Sequence, residues 1–99
     1  MIGIDLTKIS RFNRFDLDRL GSRLGQKLDS PVTAAKVWAC LEAIIKAEQQ
    51  RINPKKLQFV FEKNKPPVVL DPSNVLSGEY ILSLTHEDDF VAAVALRKN

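Results

Sequence analysis

With 99 residues, 44% of them hydrophobic and 27% charged, the chain has room for one hydrophobic core and the composition of a folded globular protein, which excludes a disordered or low-complexity chain and leaves any site within a single protomer shallow. Its net charge of +3 tilts the surface towards acidic partners, yet this is far from the dense basic patch of a dedicated nucleic-acid binder, and no nucleic-acid partner is expected. The single cysteine, Cys40, rules out an internal disulfide, no apolar run approaches the roughly 18 to 20 residues of a membrane span, and a cytoplasmic protein with no membrane association is expected.

Residues 1–6 (MIGIDL) alternate Ile2, Ile4 and Leu6 with Gly3 and Asp5, which predicts a strand that buries its apolar row and points Asp5 the other way. From Lys8 to Leu28 the spacing of Ile9, Phe12, Phe15, Leu20, Leu24 and Leu28 predicts a helix interrupted around Gly21 and Gly25. Ser30 and Pro31 form a helix start, since the Ser hydroxyl accepts from an orphan amide and Pro tolerates the first helical position. The helix they open is predicted from about Pro31 to Arg51, apolar on most sides, with Asn53 and Pro54 as its stop. Leu57, Phe59 and Phe61 alternate with Gln58 and Glu62, and a turn around Asn64, Lys65 and Pro66 leads to Val68–Leu70, a predicted hairpin. After a turn at Asp71–Asn74, a strand carries Tyr80, Leu82 and Leu84 against Ile81, Ser83 and Thr85. Phe90 to Leu96 is continuously apolar, as in a strand inside a sheet. The order of elements is that of an α+β domain.

Few residues stand out for chemistry. Glu42 and Lys46, four apart, share a helix face and with Gln49 and Gln50 form a polar stripe on an apolar helix; the plain reading is a solvated stripe with one ion pair. Asp5 adds a second acid from a strand. Two carboxylates with water and phosphate oxygens complete a shell that suits magnesium. His86, in the SLTHEDD segment read as a turn between the last two strands, is a ligand, a base, a phosphate contact or simply a solvated residue. Cys40 lies in an apolar stretch and reads as a buried, inert thiol.

Four segments, in order, resemble one family. GIDLTKISRF is similar to the opening of the holo-acyl-carrier-protein synthases, with Asp5 and a basic Arg11 six positions on. VWACLEAIIKA resembles the family's helical signature at Trp38, Ala39, Glu42, Ala43, Lys46 and Ala47; NKPPVVL resembles its Gly-Lys-Pro turn; SLTHEDDFVAAVAL resembles its Ser-x-x-His-Glu ending. The resemblance implies a single phosphopantetheinyl transferase-like domain over residues 1–99, with an antiparallel sheet packed against a long central helix. It also implies magnesium-dependent transfer of the 4'-phosphopantetheine arm of coenzyme A to a serine of an acyl or peptidyl carrier protein. Asp5 and Glu42 would hold the metal, Glu42 and Lys46 would be catalytic, and Lys46, Lys65, Ser83 and His86 would contact coenzyme A. Arg11 and Arg14 would meet the carrier, aided by Arg19 and Arg23, and the assembly would be a homotrimer. Against the signature, Val37 and Leu41 replace an Arg and a Lys on the cofactor side, and Lys8 replaces an acid. The alternative those departures support is a degenerate relative that binds carrier protein or coenzyme A without transferring.

Overall fold

The computed structural model describes residues 1–98 of the domain expected over 1–99. Strand β1 (Ile2–Lys8) is paired antiparallel to β5 (Phe90–Arg97), and β5 in turn to β4 (Tyr80–Glu87), so the sheet order is β1-β5-β4 with the most apolar strand in the centre. Helix α2 (Pro31–Glu48) lies across one face of this sheet. A separate two-stranded ribbon, β2 (Gln58–Val60) with β3 (Val68–Leu70), is the predicted hairpin.

The helix covers the face opposite to the one the alternation pattern suggested. Ile2, Ile4 and Leu6, expected to be buried, are 59%, 59% and 65% exposed, while Gly3 and Thr7 are buried. The cause is Gly3. A Cβ at that position would run into the carbonyl oxygen of Ala43 and the amide nitrogen of Ala47, so only glycine lets β1 approach α2 this closely. The strand therefore turns Gly3, Asp5 and Thr7 to the helix. Its apolar row joins Phe90 and Leu96 of β5 and Ile81 of β4 on an uncovered face.

The segment from Lys8 to Leu28 is not one helix. Lys8 ends β1, Ile9–Phe12 makes a single 3-10 turn, and α1 (Leu17–Leu24) starts afresh at Asp16, whose carboxylate accepts from the amides of Asp18 and Arg19. The helix continues through Gly21 and ends at Gly25, which takes the left-handed conformation at φ 68°. The hairpin turn between β4 and β5 pins the 3-10 turn, because the Asp89 carboxylate accepts from both the amide and the hydroxyl of Ser10.

Helix α2 begins as predicted, with the Ser30 hydroxyl accepting from the amide of Thr33 at 3.2 Å and Pro31 in the first turn. It stops at Glu48 rather than Arg51, because Gln49 adopts the left-handed conformation and caps it. Ala34, Ala35, Val37, Ala39, Cys40, Leu41, Ala43, Ile44 and Ala47 are buried around most of its circumference. All of these but Ala47 merge with Phe12, Leu20, Leu24, Leu57, Phe59, Leu82 and Val91 into one core. Among the described residues no helix is long and apolar enough to cross a membrane.

Candidate functional site

The strand-to-helix crossing that Gly3 permits also brings charged groups together. Two residues beyond Gly3, on the same face of β1, the Asp5 carboxylate accepts from the Lys46 ammonium at 2.9 Å through Oδ1. The same ammonium donates to the carbonyl of Ile4 at 3.1 Å, and the Thr7 hydroxyl donates to Oδ2 of Asp5 at 2.6 Å. Asp5 is thus held from both sides, with its side chain 12% exposed against 54% for Lys46. The expected ion pair along the stripe is not the one formed, because Lys46 reaches across to β1 instead of back to Glu42. Glu42, one turn before Lys46 on that helix face, is half-buried and makes no ion pair among the described residues.

These residues suit a hard divalent cation. The Lys46 ammonium already holds a positive charge at one oxygen of Asp5, and the half-buried Glu42 carboxylate stands one helical turn before Lys46 on α2. Among the described residues no group of three or more His, Cys, Asp or Glu side chains gathers around a possible ion.

The remaining candidates fall into separate places. Lys65 and Ser83 border an open cleft of about 300 Å³ beside the free edge of β4, together with Lys36, Phe61, Pro66 and Pro67. Lys36 stands 5.9 Å from the centre of the Phe61 ring, and Lys65 pairs with Glu62 at 3.0 Å. His86 lies within β4 and not in the turn, which is Asp88 and Asp89. Its register opposite Val91 and Thr7 puts it on the helix side of the sheet, whereas Ser83, opposite Val94 and Ile4, lies on the uncovered side. Within one protomer the two residues expected to act together on coenzyme A are therefore on opposite faces. Lys8, likewise, projects from the face opposite to Asp5, so the basic residue there does not adjoin the Asp5 carboxylate.

Arg11 is stacked on Trp38 at 4.9 Å and on Phe12 at 5.6 Å, and Phe12 packs in turn against Phe15. Arg14, Arg19 and Arg23 line a shallow cleft with the exposed Phe15, so an apolar ring lies within a basic surface. Val37 and Leu41 are 2% and 5% exposed, part of the core. Cys40 is fully buried, and loss of solvation, eased only by the charge of Lys36, raises its thiol to about 12. Thr7 is the residue that sequence reading missed. Its position two after Asp5, on the same strand face, was the available signal.

The sequence matches no protein-family model and no curated protein. Solved structures are similar to it over essentially its whole length. The Helicobacter pylori holo-acyl-carrier-protein synthase in complex with coenzyme A superposes with a TM-score of 0.79 at 21% identity, covering 99% of this chain and 100% of that one. The Bacillus anthracis holo-acyl-carrier-protein synthase in complex with coenzyme A (3',5'-ADP) gives 0.72 at 23%, covering 99% and 96%. The Mycobacterium tuberculosis acyl carrier protein synthase gives 0.67 at 26%, covering 98% and 95%. The chain therefore has the α+β fold of the holo-acyl-carrier-protein synthases. At these identities what it shares with them is architecture.

Proposed function

We propose that the protein is a phosphopantetheinyl transferase that moves the 4'-phosphopantetheine arm of coenzyme A to a serine of an acyl or peptidyl carrier protein. The observation that carries this reading is the contact of Lys46 with Asp5 at 2.9 Å, which joins an acid of β1 to the helix face that bears Glu42. Asp5 and Glu42 would hold Mg2+, which when bound neutralises charge on the diphosphate and orients it. The serine oxygen bonds to the phosphorus that carries the pantetheine arm as the bond from that phosphorus to 3',5'-ADP breaks, and the serine proton passes to water. Lys46, whose side chain is 54% exposed, stabilises or protonates the departing phosphate. Lys65, Ser83 and His86 contact coenzyme A, Ser83 from the uncovered sheet face and Lys65 from the cleft at the edge of β4. Arg11, Arg14, Arg19 and Arg23 present positive charge to an acidic carrier helix, and that attraction weakens with salt.

The protein works as a homotrimer in this reading, supported by the exposed row Ile2, Ile4, Leu6, Ile81, Phe90 and Leu96, an apolar surface that a protomer of this size has no other element to cover. A free, buried Cys40 suits a reducing cytoplasm. One observation favours the alternative of a relative that binds without transferring: Val37 and Leu41, where the signature has cofactor-side charges, are packed in the core.

The deciding experiment incubates purified protein with Mg2+, coenzyme A and an apo-carrier, and weighs the carrier by mass spectrometry. The expected result is addition of the phosphopantetheine mass, abolished by Glu42→Ala. Binding of carrier or coenzyme A with no added mass would establish the non-catalytic alternative.

A further inference from the structure

Thr7 is the one polar side chain among the buried described residues, 2% exposed on the helix-facing side of β1 next to Val91. A strand position of this kind accepts valine, which is β-branched, close to threonine in shape and free of the cost of burying a hydroxyl. The fold therefore gives no reason for the oxygen. What the oxygen does is donate to Oδ2 of Asp5 at 2.6 Å, a length typical of a hydroxyl on an ionised carboxylate. The bond couples adjacent residues of one strand face, and it is the only side-chain hydrogen bond Thr7 makes among the described residues.

The two partners of Asp5 differ in how firmly they are held. Thr7 is buried on a strand in the core and has few rotamers; Lys46 is mostly exposed at the end of a long chain. The carboxylate is thus fixed at Oδ2 and free to exchange its partner at Oδ1. An acid that must offer one oxygen to a cation in a constant direction needs such an anchor, because an unanchored carboxylate rotates and loses orientation on binding.

We infer that Thr7 is a positioning residue, whose hydroxyl orients Asp5 as a ligand for a divalent cation. This rests on the reading of Asp5 as a metal ligand given above. It predicts that outer-sphere loss of the hydroxyl weakens metal binding without unfolding the protein.

The experiment measures Mn2+ binding to the full chain by electron paramagnetic resonance, and Mg2+ binding by calorimetry, with coenzyme A present, for wild type, Thr7→Val and Thr7→Ser, with thermal melts alongside. The expected result is that Thr7→Val binds both ions at least about tenfold more weakly, the usual range for losing an outer partner of a metal ligand, while melting with the wild type, and that Thr7→Ser restores affinity. Thr7→Ala removes the same hydroxyl should the valine side chain itself disturb packing. Wild-type affinity in both hydroxyl-free variants would overturn the inference and leave the metal site standing. A wild-type protein that binds neither ion would overturn the metal reading of Asp5, and Thr7's role with it.

Discussion

With Asp5 as the proposed metal ligand, Lys46 and a divalent cation would compete for one carboxylate. The ammonium sits 2.9 Å from Oδ1 of Asp5, so a cation that takes that oxygen must displace it, and the displaced lysine is then free to meet a phosphate group. The competition is mild, because an ion pair whose lysine is half exposed is worth about 0.2–1 kcal/mol. Lys46→Met keeps the aliphatic stem over β1 and removes the charge. The variant should bind Mn2+ roughly 1.5- to 5-fold more tightly than wild type in the absence of coenzyme A, the same free energy expressed as a ratio, yet fail to modify a carrier. Metal titration followed by the mass assay measures both. Unchanged or weaker metal binding would mean that Lys46 does not guard Asp5. Residues acting in such pairs were only partly legible in the sequence. Glu42 and Lys46 announced a shared helix face, and the family resemblance drew Asp5 towards them, but that Lys46 would choose Asp5 over Glu42 follows from how closely Gly3 lets the strand approach, a consequence of packing that spacing alone does not contain.

At the scale of elements, the end of α2 is tied to the sheet by Glu48. Its carboxylate accepts from the amide of Ser77 at 3.0 Å, from the Ser77 hydroxyl and from the Tyr80 hydroxyl, while Arg97 of β5 donates to the Ser77 hydroxyl at 3.0 Å. Desolvation opposes the charge on Glu48, but the hydrogen bonds from Ser77, Tyr80 and Gln50 outweigh it and hold the carboxyl below its usual value. Burial, followed by the bond to and charge of Glu48, pushes Tyr80 up to about 12. A depressed carboxyl stabilises the fold above its unfolded value of 4.5, and that contribution is lost as pH falls through the lower folded value. Glu48→Gln should therefore lower stability at neutral pH by no more than about 1 kcal/mol, since solvent screens a partly exposed carboxylate, and the gap from wild type should close as pH falls below 4.5. Urea unfolding at a series of pH values tests this, and a gap independent of pH would dismiss the staple. The helix and strands themselves were readable, since Ser30, Pro31 and the alternations at 57–61 and 80–85 are local signals. The stretch 8–28 was misread because Ile9 and Phe12, three apart, fit a 3-10 turn as well as an α-helix. Asp16, the cap that restarts the chain as α1, carried the missing boundary.

For the whole molecule, the same crossing that buries Gly3, Asp5 and Thr7 leaves the other face of the sheet bare. Alternation in β1 announced one apolar and one polar face but could not say which the helix would cover; the apolar one is exposed in the protomer and continues onto β5 and β4. Ser83 lies on that same bare face, whereas Asp5 faces α2 and Lys46 belongs to that helix, so residues proposed for one ligand are divided between two sides of a thin sheet. In the homotrimer proposed above, a neighbour packed on the bare face would complete around Ser83 a site that one small protomer leaves open. In that reading assembly and ligand binding are one requirement. Leu6, at 65% exposure the most uncovered of the row, is the place to test it, since burying such a side chain stabilises by about 1.5–3 kcal/mol in each protomer and a charge there reverses the sign. Leu6→Glu should sediment as a monomer with its far-ultraviolet circular dichroism intact, and its coenzyme A affinity in calorimetry should drop at least about tenfold, because in that reading part of each site leaves with the neighbour. A monomeric variant that bound coenzyme A as tightly as wild type would show that the site is complete in one chain, and a variant that stayed trimeric would place the subunit contact on some other surface.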